Sequence, residues 1–85
     1  MSSEMGNVSR VDGILVALLQ LKEPVIWDEI QYQVTTDWDS LVHLGIVEEL
    51  EAAFQISISP EEVTSMKNRE TILELLQSKG VAVKP

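Results

Sequence analysis

Trp38-Asp39-Ser40-Leu41-Val42-His43-Leu44-Gly45-Ile46-Val47-Glu48-Glu49-Leu50-Glu51-Ala52-Ala53-Phe54-Gln55-Ile56-Ser57-Ile58 is the stretch whose reading decides the fold. Asp39 has a short carboxylate that can accept a hydrogen bond from a free backbone N–H, the property of a helix N-cap. Ser40 then falls in the exposed first turn. Behind it Leu44, Val47, Leu50 and Phe54 recur at steps of three and four, which predicts one apolar face of a helix from Ser40 to Phe54. Ile56 and Ile58 alternate with Gln55 and Ser57 as an extended exit turning back toward that face. A serine hydroxyl is thereby placed at the start of an amphipathic helix whose orientation is set by burial of the rest.

Upstream, residues 1–8 read as a flexible tail, and Ser9-Arg10-Val11-Asp12 as a capping-box variant opening a first helix from Ser9 to Leu21. Val11, Ile14, Leu15, Leu18 and Lys22 share one face of it, widened by Leu19 and Leu21; Gly13 weakens it by about 1 kcal/mol relative to alanine. From Lys22 to Trp38 no long period survives. Pro24 disfavours helix at Glu23, and Val34, Thr35 and Thr36 are β-branched. A loop this long needs anchors, for which Val25, Ile26, Trp27, Ile30 and Trp38 are the candidates, with a helical turn at Asp28–Tyr32.

Downstream, Ser59-Pro60-Glu61-Glu62 announces a short third helix with Ser59 as N-cap, proline in the first position and glutamate in the third; Val63 and Met66 are its core contacts. Asn68 caps a fourth helix whose apolar face is Ile72, Leu73, Leu75 and Leu76, with Gly80 as the residue past its end. Residues 81–85 read as a second flexible tail. The expectation is an all-α fold, a small four-helix bundle of three longer helices and one short one in a single domain over residues 9–80, with a long loop between the first two helices.

Fourteen acidic side chains against six basic ones give a formal net charge of −8. Such a chain repels nucleic-acid phosphate and anionic membrane, so neither is expected as a partner, and proteins with basic patches are. There is no cysteine, hence no disulfide, thiolate nucleophile or cysteine-based metal site. Met1 to Asn7 lacks a signal-peptide pattern, and the longest apolar run, Ile14 to Leu19, is too short to span a bilayer. A cytoplasmic monomer is the expectation.

Asp39-Ser40-Leu41, Leu44, Val47, Leu50-Glu51, Phe54, Ile56 and Ile58 together resemble the acyl carrier protein family, the phosphopantetheine-binding carrier domains, and the resemblance extends over roughly residues 9–79. It implies a covalent 4′-phosphopantetheine on Ser40, flanked by Asp39 and Leu41, holding an acyl or aminoacyl thioester for partner enzymes of fatty-acid, polyketide or related biosynthesis. The implied partners are a phosphopantetheinyl transferase, a ligase that loads the acyl or aminoacyl unit, and downstream acyl-processing enzymes. They would dock on the surface of the second helix, where Val42, Gly45, Glu48 and Glu49 are the candidate contacts. Val42 and Gly45 stand at positions often acidic in fatty-acid carriers, Glu48 where a methionine-like contact is common, and Arg69 where a small apolar residue is usual. These departures point to a discrete, specialised carrier. The competing readings are an aminoacyl or peptidyl carrier and, from another class, an unmodified acidic adaptor domain.

Asp39, Ser40 and His43 also invite comparison with a hydrolytic triad. No water-excluding cleft is evident and the Asp39 carboxylate is expected to cap the helix, so the expectation is no catalytic residue and no enzyme, with His43 solvated or against the loop. Asp37, Asp39, Glu48, Glu49 and Glu51 lack metal-site spacing and read as solvated carboxylates. Trp27 and Trp38 read as loop anchors.

Overall fold

The computed structural model describes residues 3–83. Met1, Ser2, Lys84 and Pro85, the outer ends of the two expected tails, lie outside them. The chain is a small all-helical bundle: α1 (Ser3–Leu19), α2 (Ser40–Phe54), the short α3 (Pro60–Ser65) and α4 (Arg69–Ser78), with one 3₁₀ turn at Trp27–Glu29 in the long first connection. No strand occurs among the described residues.

Helix α1 begins six residues earlier than its capping pattern predicts, so Ser9 is inside the helix and is not its cap. A tertiary contact accounts for the extension: the Asn7 side-chain amide donates to the Ala82 carbonyl at 3.0 Å, and Val8 packs against the core. Val11, Leu15 and Leu19, spaced by four, are its fully buried stripe, while Lys22 lies beyond the helix and is exposed. The helix ends where Gln20 turns left-handed (φ 54°).

Helix α2 has the predicted ends. Asp39 Oδ1 accepts the Val42 N–H at 2.9 Å, and Gln55 closes the other end in the left-handed region. Its buried face, however, is rotated from the predicted one. His43, Ile46, Val47 and Leu50 are buried, Phe54 is half-buried, and Leu44 is 53% exposed. The exit strap returns as expected, with Ile58 buried. Glu51 pins it, because its Oε2 accepts the Ile58 N–H at 2.9 Å.

Both remaining helices have the predicted caps. Ser59 and Glu62 form a reciprocal capping box around α3, and Asn68 accepts the Thr71 N–H at 2.8 Å to start α4. Met66 is fully buried between the two helices. Past α4, Gly80 adopts φ 88°, and the bonds Val81 N–H to Leu76 O and Gly80 N–H to Gln77 O make a Schellman turn. That turn sends Val83 into the core, 1% exposed, so this part of the expected C-terminal tail is packed structure.

The long connection is held at named points. Trp38 is buried, Trp27 and Ile30 pack partly against the core, and the Tyr32 N–H donates to the Lys67 carbonyl at 2.8 Å beside an isolated Gln31–Asn68 bridge. Ile26, an expected anchor, is 58% exposed. Arg69 explains its own presence at the start of α4. Its guanidinium grips Asp12 of α1 through two bonds (Nε to Oδ1 2.7 Å, Nη2 to Oδ2 3.3 Å) and lies 5.3 Å from the centre of the Trp27 ring. Arg10 likewise ties α1 to the end of α2, donating to the Ala53 carbonyl at 2.7 Å over the Phe54 ring. A cation there also complements the negative end of the α2 dipole.

Candidate functional site

Ser40 is the first residue of α2 and is exposed. The Asp39 cap fixes the backbone on one side of it. On the other side the long connection brings Tyr32 alongside, its hydroxyl 3.1 Å from Ser40 Oγ. Leu41, next in the helix, is 80% exposed.

Beneath these residues lies a packed aromatic group. His43 is only 4% exposed and uses both ring nitrogens. The Trp38 indole N–H donates to Nδ1 at 2.9 Å, and Nε2 faces the Val63 carbonyl of α3 at 2.9 Å. An indole N–H can only donate, so Nδ1 is the lone-pair nitrogen and Nε2 carries the hydrogen given to Val63. The Tyr32 ring stacks on the imidazole with centroids 4.4 Å apart and a 26° tilt, and Trp38 meets Tyr32 edge-on at 6.3 Å. His43 therefore joins the loop, α2 and α3. Of the two positions expected for it, solvated or against the loop, it takes the second, and it is buried there.

The same bonds keep Asp39, Ser40 and His43 apart chemically. Asp39 is bonded to the Val42 N–H, Ser40 to Tyr32, and neither imidazole nitrogen is bonded to either residue. No relay from carboxylate to imidazole to hydroxyl is assembled.

Ser40 itself lines a small cleft on the loop side with Gln33, Thr35 and Trp38. From Leu41, the residue after Ser40, a larger apolar groove of about 750 Å³ runs between α2 and α3, lined by Leu41, Leu44, Val47, Ile58, Pro60 and Val63, with Gly45, Glu48 and Glu51 also bordering it. The exposure of Leu44, anomalous for a core residue, follows from its place in this wall. The candidate contacts on α2 divide between two faces. Leu41, Gly45 and Glu48 border the groove, whereas Glu49 lines the shallower cleft between α1 and α2 with Arg10, Ile14 and Leu18. Val42 is half-buried and packs against the core. Gly45 is half-buried as well, and a Cβ there would lie 3.7 Å from Leu18 Cδ2, so part of this expected open stripe is turned to α1.

The chain matches no family model, no curated protein and no solved structure. The site therefore rests on its own geometry. The Ser40 hydroxyl is exposed at the electropositive end of a helix, where a phosphate is favoured, and the groove begins at its neighbour Leu41. Sequence reasoning missed Tyr32, Ile58, Pro60 and Val63. Tyr32 carries no local signal for its partner, which depends on the path of the loop. The groove residues were each read correctly as apolar helix or strap positions, but the gap between two helices is not a property of either one.

Proposed function

We propose that this chain is a carrier protein of the acyl carrier type, in which Ser40 receives 4′-phosphopantetheine and the loaded protein presents an acyl or aminoacyl unit to partner enzymes. The observation that carries the reading is the exposed Ser40 hydroxyl at the start of α2, whose neighbour Leu41 opens a groove walled with Leu44 and Val63. When bound, the prosthetic group supplies the thiol that holds the cargo as a thioester, a sulfur this cysteine-free chain lacks.

Each residue then has a task. Ser40 Oγ attacks the phosphorus of coenzyme A that bears the pantetheine ester. The Oγ–P bond forms, the bond to 3′,5′-ADP breaks, and the Oγ proton passes to a base of the transferase. Asp39 holds the first turn so that the hydroxyl stays at the surface. Leu41 and Leu44 give partners and cargo an apolar contact. Glu48, exposed on the groove rim, and Glu49, exposed toward α1, add to a net charge of −8 that steers basic docking surfaces onto this end.

Labelling with a fluorescent coenzyme A analogue and a broad-specificity transferase tests the reading. The native chain should take the label and Ser40→Ala should take none. Equal labelling of the alanine variant would move the attachment elsewhere, and no labelling of the native chain would favour the unmodified acidic adaptor.

A further inference from the structure

The hydrogen bond between Tyr32 and Ser40 joins residues eight apart in sequence, on separate elements, and it is built with more care than a chance surface contact. The Tyr32 backbone is tied to Lys67, its ring is sandwiched onto buried His43 and edged by buried Trp38, and only the hydroxyl end reaches Ser40. The half-buried ring is held by its stack on His43 and its edge contact with Trp38, so it has little freedom to leave.

We infer that Tyr32 is a positioning residue for modification at Ser40, which its hydroxyl holds in one rotamer before transfer and whose phosphate it binds afterwards. This rests on the carrier reading above. A phenol is a stronger donor than an alkyl alcohol and its ring-conjugated oxygen a poorer acceptor, so Tyr32 donates and Ser40 accepts. The serine proton is thereby left pointing away from Tyr32, toward an incoming base. Once Oγ is esterified it is a weak acceptor, and the neighbouring phosphate oxygens are charged. The phenol hydrogen then has a stronger acceptor within a small rotation, a charge-assisted bond in place of a neutral one. Tyr32 would hold the root of the arm on the His43 side of the helix start.

Tyr32→Phe isolates the hydroxyl because it keeps the ring that stacks on His43. In the unmodified protein, Ser40 Hα–Hβ couplings should report one rotamer in the native chain and averaging in the phenylalanine variant. Transferase kcat/KM should fall about two- to tenfold, the range of one modest hydrogen bond. The ³¹P resonance of the attached phosphodiester should shift. Placing 4-aminophenylalanine at position 32, which restores a donor on the same ring, should recover both the rotamer and the rate. Identical couplings, equal labelling and superimposable ³¹P resonances in native and Tyr32→Phe proteins would overturn the inference and leave the carrier reading standing. A native chain that takes no label would remove the carrier reading and the arm's part of this inference together, while the couplings still decide whether Tyr32 holds Ser40.

Discussion

His43→Ala should be strongly destabilising although it lies outside the attachment point. It strands the Trp38 indole N–H in a buried setting, removes the bond to the Val63 carbonyl and opens a void under the Tyr32 ring. A stranded buried donor costs about 1–3 kcal/mol, and a lost side chain of this size adds a cavity term, so the total is roughly 3 kcal/mol. A domain of 85 residues has about 4–13 kcal/mol in all, and the change should lower its melting temperature by about 12–24 °C. Urea unfolding followed by tryptophan fluorescence and by circular dichroism measures it. The two residues should also be non-additive. Trp38→Phe should cost less in the His43→Ala background than in the native one, with a coupling of about 0.5–3 kcal/mol, because the stranded donor is then removed. A loss below about 1 kcal/mol with no coupling would show that the Trp38–His43 bond does not organise this corner. The folded fraction of His43→Ala should still be labelled at Ser40, since neither ring nitrogen is bonded to the hydroxyl.

Gly13→Ala should stabilise by about 0.5–1 kcal/mol in thermal melts, because Gly13 is inside α1 with open space where a Cβ would go. Gly45→Leu should instead destabilise the apo fold, because its Cβ already meets Leu18 at contact distance. The Lys79 ammonium, 2.9 Å from Glu62 Oε1, and the Ser59 N–H hold the Glu62 carboxyl below its ordinary 4.5. A depressed folded-state value contributes stability above pH 4.5 that is lost as pH falls through the folded value. Glu62→Gln should therefore lower the urea midpoint at pH 6 and approach the native midpoint as pH falls below the folded-state value. Glu48→Lys should reduce transferase kcat/KM, more at low salt than at high.

The sequence was most legible where structure is local. Asp39, Ser59 and Asn68 cap the helices they were expected to cap, and Gly80 takes the left-handed turn, because a cap or C′ position is decided within a few residues. Left-handed Gln20, Gln33 and Gln55 were invisible, since glutamine has no preference for that region; all three are exposed, and Gln20 and Gln55 sit at helix ends where Leu21 and Ile56 bond back to the Val16 and Glu51 carbonyls. Helix α2 was placed to the residue, yet its face was misread at Leu44, and the burial of His43 beneath the loop was not anticipated. A hydropathy pattern counts leucine as core and histidine as surface, and it cannot know that Trp38 and Val63 satisfy both imidazole nitrogens. The start of α1 and the packing of Val83 depend on each other across the whole chain, through Asn7 and Ala82, and neither end signals the other. The site divides in the same way: Ser40, Asp39 and Leu41 are neighbours in sequence, whereas Tyr32 and the groove are products of folding.

The most direct test of the carrier reading is the mass of the native chain after incubation with coenzyme A, Mg²⁺ and a broad-specificity transferase, with the modified peptide sequenced by fragmentation. The account predicts one added phosphopantetheine per chain, on Ser40 and on no other serine. A chain of unchanged mass, or an adduct on a residue other than Ser40, would contradict it.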